Sequence, residues 1–364
     1  QGLGGALMLP VGRLVVLRAY PRSELVRIMG FITIPGLLGP LIGPTMGGWM
    51  VQYLTWHWIF LINLPVGMIG CYAVWKFIPD LRGSERTRFD SLGFLLFGAA
   101  MVLITIAMEG LGELHLPHLR VMLLLFGGMA CLAAYWLRAG HIENPLFSPV
   151  LFKTRTFAVG ILGNLFARLG SGALPFLVPL LLQIALGYSP SQAGMSMLPL
   201  AAAAMVAKSV ARPLIERLGY RVVLTGNTLL LGMMLASMGL VSEQTPYPLL
   251  LAMLAVLGAI NSLQFTAMNT VTLIDLDDAQ ASSGNSLLSV VAQLALSLGV
   301  ACAGALLGGF TAEAGNDGVN TVLEAFQLTF LTVGIMAMLA AAIFLQLSPK
   351  DGKRVVSREH DIEH

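Results

Sequence analysis

Eleven runs of about 18 or more predominantly apolar residues fill this chain, and each is long enough to cross the hydrocarbon layer of a bilayer as a helix. They cover residues 1–18, 28–51, 58–78, 91–109, 119–137, 157–185, 193–211, 222–241, 248–274, 287–310 and 325–347. The runs are continuously apolar and lack the period-two alternation of a membrane barrel strand, so helices are the spanning form. The expected fold class is an all-α polytopic membrane protein. Composition agrees: 11% of residues are charged, where a soluble domain carries about 25%, and mean hydropathy is +0.80. Lipid is then the main solvent and partner, and a nucleic-acid partner is not expected.

Placement of the basic residues carries more information than the net charge of +2. If the end of the first run is cytoplasmic, the loops on that side and the C-terminal tail hold 18 of the 21 Lys and Arg residues, and the opposite loops hold only Arg120. Cytoplasmic loops are enriched in Lys and Arg, so the C-terminus is expected in the cytoplasm. The acidic connection DLDDAQ falls on that side without basic support. The organisation expected is three helices in 1–78, a helix pair with cytoplasmic flanks in 79–156, six helices in 157–347 and a solvated tail, 348–364. The chain starts at Gln1 inside an apolar run, which reads as a fragment. Cys71, Cys131 and Cys302 sit in apolar runs without CxxC spacing, so neither a disulfide framework nor a metal site is expected.

One run is built to bend. The stretch PGLLGPLIGPTMGG, Pro35 to Gly48, holds five glycines and three prolines. Gly39, Gly43 and Gly47 recur every four residues and form one bare helical ridge that lets another backbone approach, with Gly48 beside it. Pro40 and Pro44 each free a carbonyl that a neighbour must satisfy. A tightly packed structural helix and a gating surface between two bundles fit equally. A weak echo, Gly304, Gly308, Gly309 and Phe310 against Gly43, Gly47, Gly48 and Trp49, suits the repeated halves of secondary transporters.

Two spans carry polar groups at depth. Arg168 lies eleven residues beyond Phe157, about 16 Å into its helix and near the bilayer centre. A central arginine costs roughly 2.5 to 3.5 kcal/mol on insertion scales and is expected to face a cavity or a carboxylate. Asn164, Ser171 and Gly172 share its face; a structural ion pair is the alternative. Arg13 lies close enough to a helix end to snorkel, and reads as structural. In INSLQFTAMNT and the two residues after it, Asn261, Gln264 or Phe265, Met268 and Thr272 fall on one face, which suits a wet cavity for varied amphipathic molecules. Interhelical hydrogen bonding by the amides is the competing reading. The chain contains no GxxxxGK[ST], HExxH or GxSxG, so neither ATP-driven transport nor an intramembrane hydrolase is expected, nor any enzyme.

GLLGPLIGPTMGG resembles the fifth-helix signature of antiporters in the major facilitator superfamily, GxxxGPxxGG, with the second GP of its fourteen-helix drug:proton exporters. QGLGGALMLP, Gln1 to Pro10, looks like the tail of the fourth-helix signature RxxQGxG. WHWIFLINLPVG, Trp56 to Gly67, looks like the start of the sixth helix. RPLIERLGYR is similar to the cytoplasmic loop motif GxLaDRxGrR, matched at Arg212, Glu216, Arg217, Gly219 and Arg221, with Glu216 where aspartate is commoner and Ala211 where glycine is. Charged residues in that loop also serve topology control. The resemblance covers essentially the whole chain and implies helices 4 to 14 of 14. It also implies a central cavity lined by the helices of Arg168 and Asn261, and alternating access by two six-helix bundles. The implied function is proton-coupled efflux of small amphipathic molecules by a monomer in a bacterial inner membrane, driven by the proton gradient without a cofactor. Transport of one specific metabolite, or a non-transporting scaffold or sensor, are the alternatives.

Overall fold

A computed structural model describes residues 2, 4, 5, 8, 39, 42–78, 90–111, 117–142, 145–313, 319–348 and 351. Most of runs 1–18 and 28–51, with Arg13 and Pro40, lies outside the described residues. The described residues are helical and contain no strand. Eight of their helices are long and apolar enough to cross a membrane, and the one over Pro190–Met238 accounts for two of the expected runs.

The described chain falls into two compact units, one drawn from residues 1–88 with 189–198 and the other from 89–188 with 199–364. The first holds α1 (42–53), α2 (Trp58–Leu61), α3 (Asn63–Phe77) and, later in the chain, α8 (Pro190–Ser196). Ser189 starts α8 with a capping box: its hydroxyl accepts from the Gln192 N–H while the Gln192 side chain accepts from the Ser189 N–H.

The second unit contains α4 (Ser91–Leu111), α5 (His118–Ala139), α6 (Arg155–Gly172), α7 (Leu174–Leu180), α9 (Leu198–Met238), α10 (Tyr247–Leu273), α11 (Asp278–Glu313) and α12 (Val319–Phe344). A straight helix of 41 residues would reach about 60 Å, twice the hydrocarbon thickness. Accordingly α9 breaks at Gly219, whose φ of 78° and ψ of 160° are open to glycine and strained for other residues. The two arms match the expected runs 193–211 and 222–241. Between α6 and α7 the chain breaks at Ala173, and a π turn over Leu181–Ala185 follows Pro179, which has no N–H to give the helix.

The pair α4 and α5 shares this compact unit with the helices of 157–347 other than α8. Phe97, Tyr135, Phe147, Leu151, Phe157, Leu287 and Leu288 form one buried cluster that joins the pair to α6 and α11. Tyr135 is fully buried; its hydroxyl donates to the Phe147 carbonyl at 2.9 Å and accepts from the Phe147 N–H at 2.6 Å. Asp90, just before α4, accepts from the Gly93 N–H at 2.9 Å and from Arg138 Nη1 at 2.6 Å, clamping the two helix ends together. Burial pushes the Asp90 carboxyl up, but the hydrogen bonds from Gly93 and Arg138 and the Arg138 charge help to hold it below the ordinary value of 3.8.

Candidate functional site

α6 and α10 meet where the backbone of Gly160 leaves no room: a Cβ there would collide with the side chain of Thr272. This close approach lets short polar groups reach between the helices. The Asn164 side-chain amide donates to the Gly160 carbonyl at 3.0 Å and to Thr272 Oγ1 at 3.5 Å, leaving its oxygen for Arg168 Nε at 2.9 Å. Thr272 in turn donates to the Met268 carbonyl at 2.6 Å. Asn164 and Thr272 are fully buried, so their side-chain positions are set by packing as well as by these bonds.

Arg168 is 4% exposed, and no acidic residue pairs with it among the described residues. Its guanidinium carbon lies 4.3 Å from the centroid of the Phe265 ring, a cation–π stack between α6 and α10. Nη2 is buried and has no hydrogen-bond partner among the described residues. Phe265 as a residue is 46% exposed. One face of Phe265 thus holds the cation while part of the ring remains open to a further molecule. A buried, unpaired N–H donor costs free energy until something accepts from it, and the planar fork of arginine suits a carboxylate.

The residues expected on one face of α10 separate into three environments. Phe265 and Thr272 join Asn164 and Arg168. Gln264 turns away: it accepts from Asn227 Nδ2 at 2.8 Å and donates to Thr228 Oγ1 at 2.7 Å, knitting α10 to the second arm of α9. That is the interhelical amide bonding weighed from the sequence. Met268 is packed in a core with Val223, Leu224, Val271 and Phe344. Asn261 is half-buried. Asn269, which sequence reasoning passed over, lies one helical turn from Phe265, and its Oδ1 is buried with no partner among the described residues. It stands inside the quoted stretch, and the i, i+4 spacing from Phe265 was the available signal.

In the first unit, α1 packs on α8 through Pro44, Thr45, Gly48 and Gln52. A Cβ on Gly48 would collide with the Pro190 carbonyl, and one on Gly194 with the Pro44 carbonyl. Thr45 Oγ1 donates to the Gly194 carbonyl at 3.2 Å, and the Ser191 N–H donates to Gln52 at 3.1 Å. An added Cβ at Gly39, Gly43 or Gly47 meets no described atom within 4 Å. The contact therefore runs along the face beside the expected ridge. In the loop motif, Arg212 pairs with Glu216 at 2.7 Å within one helix, both exposed, and Gly219 supplies the break. No group of His, Cys, Asp and Glu among the described residues has the arrangement to hold a metal.

Comparison with known proteins brings these features together. A family model described as Major Facilitator Superfamily matches residues 1–300 and 160–362. The chain is 44% identical over 354 residues to the putative multidrug resistance protein MdtD of Pectobacterium atrosepticum, covering 96% of this chain and 75% of that protein. Proteins of the same name from Serratia proteamaculans and Yersinia pestis are 43% and 42% identical, over 95% and 97% of this chain and 72% and 76% of theirs.

Proposed function

The chain belongs to the Major Facilitator Superfamily, and from that premise we propose that it exports drugs or other amphipathic small molecules in exchange for protons, by alternating access. It is a multi-pass membrane transporter and not an enzyme. The observation that carries the proposal is the Arg168–Phe265 stack, a buried cation with one unpaired nitrogen beside a half-exposed ring. Such a site accepts an aromatic or apolar body on the ring and an acidic group on the guanidinium. The names of the relatives support drug efflux, and their bacterial sources support a bacterial inner membrane. The charge count supports a cytoplasmic C-terminus. The proton gradient is the proposed energy source, no cofactor is required, and a monomer suffices.

Proteoliposomes with an imposed pH gradient test this reading. Structurally unrelated lipophilic dyes, acidic ones included, are expected to move against their gradients and to stop on addition of a protonophore. Failure of every dye to move would refute drug:proton exchange. The free Nη2 of Arg168 also favours a second reading, export of one metabolite bearing a carboxylate. Saturable counterflow of a single carboxylate without dye movement would select it.

A further inference from the structure

The second arm of α9, from Tyr220 onward, crosses α12 at a point of backbone contact: a Cβ on Gly232 would lie 2.6 Å from the Gly334 carbonyl. Toward the Tyr220 end of this crossing a groove of about 420 Å³ opens, lined by Leu218, Arg221, Val222, Thr225, Gly226 and Leu345. Leu218, Val222 and Leu345 are each about half exposed, at 51%, 57% and 52%, and so offer an apolar wall to the surrounding lipid. Gly226 leaves the floor open, since an added Cβ meets nothing within 4 Å. The Thr225 hydroxyl is buried without a partner among the described residues.

Charge distinguishes this groove. Arg212 is paired with Glu216, but neither Arg217 nor Arg221 forms an ion pair with a described residue, and no acid lines the groove. It also lies at the amino-terminal end of the α9 arm, where the helix dipole favours negative charge. The same two helices carry a groove of similar size, about 370 Å³, at their other end, where the charged liner is Glu324. Shape alone would make the two equivalent; sign separates them.

The geometry points to a binding site for one anionic phospholipid in the first groove, its phosphodiester on Arg221 at the headgroup level and one acyl chain along Leu218, Val222 and Leu345, over Gly226. The Glu324 groove repels the same headgroup. Each basic residue near a membrane surface strengthens anionic-lipid binding by about fivefold.

Native mass spectrometry of the purified protein in detergent, titrated with dioleoylphosphatidylglycerol or dioleoylphosphatidylcholine, tests the assignment. The unaltered protein is expected to retain one phosphatidylglycerol about fivefold more tightly than phosphatidylcholine. Arg221→Gln should remove that preference. Gly226→Leu, which adds a side chain in open space and so leaves packing intact, should fill the groove and reduce retention at least about fivefold. Glu324→Gln should leave phosphatidylglycerol retention at the first groove unchanged. Equal retention of the two lipids by the unaltered protein, or wild-type retention of phosphatidylglycerol by both Arg221→Gln and Gly226→Leu, would overturn the assignment.

Discussion

Arg138 and Arg168 lie in the same compact unit and are both drawn away from water, yet they are held in opposite ways. Arg138, at the end of α5, meets the carboxylate of Asp90 at 2.6 Å, and the pair closes α4 against α5 beside an aromatic core. Arg168, in mid-span, has an amide oxygen and a ring for partners among the described residues, and one of its nitrogens has no hydrogen bond there. The first arrangement stabilises a joint. The second leaves a donor without a partner among the described residues, at a cost in free energy. Asp90 Oδ2, Thr225 Oγ1 and Asn269 Oδ1 are also buried without a partner among the described residues, so what sets Arg168 apart is that its unpaired atom belongs to a cation in mid-span.

If that contrast is right, removing the two cations has different consequences. Arg168→Leu should reduce transport at least about tenfold while leaving thermal stability equal to or above that of the unaltered protein, because an unpaired buried charge is replaced by an apolar group. Parallel transport and unfolding measurements check this. A large loss of stability would place Arg168 with Arg138 as a structural residue.

Asp90→Ala should do the reverse. It strands Arg138 and removes the bond to the Gly93 N–H, at a cost of roughly 2 to 3 kcal/mol after allowing for the partial exposure of Arg138. Transport per folded molecule should persist. Tyr135→Phe tests the same joint more gently, since it leaves the Phe147 N–H and carbonyl without the hydroxyl, at a cost of about 1 to 2 kcal/mol in denaturant unfolding.

The smallest effect is one of pH. The carboxyl of Asp90 is held below its unfolded value of 3.8, so its contribution to stability is present above that value and is lost as pH falls through the folded one. Unfolding temperature should therefore decline more steeply on acidification in the unaltered protein than in Asp90→Asn, where no such proton is taken up. Identical slopes would remove Asp90 from the account of the joint.

Much of this was legible in the sequence. Nine apolar runs from 58 to 347 reappear as helices, and helical spacing alone put Asn164 one turn from Arg168, where its oxygen accepts from Nε. Runs of apolar residues and i, i+4 spacing are local, and a sequence displays local relations directly. The sorting of the α10 face was not legible. Gln264 and Phe265 are neighbours in sequence, and which of them turns toward Arg168 depends on Asn227 and Thr228, more than 30 residues away, claiming the amide. The clamp by Asp90 and the burial of Tyr135 depend likewise on Arg138 and Phe147, whose positions no periodicity of α4 or α5 announces. The glycine ridge was legible as a ridge, but its neighbouring face makes the contact with α8, since helix rotation is set by the partner.

The most direct measurement of the central claim is the pH profile of transport for Arg168→Lys, with Arg138→Lys alongside. Lysine keeps the charge but cannot hold a carboxylate through two parallel hydrogen bonds. Arg168→Lys should remain in the membrane, transport at least about tenfold less, and show a shifted pH dependence if the acceptor is a protonatable carboxylate, because an adjacent cation lowers its pKa. Arg138→Lys should transport nearly as the unaltered protein does. Wild-type transport by Arg168→Lys at every pH would contradict the claim and return Arg168 to the structural class of Arg138.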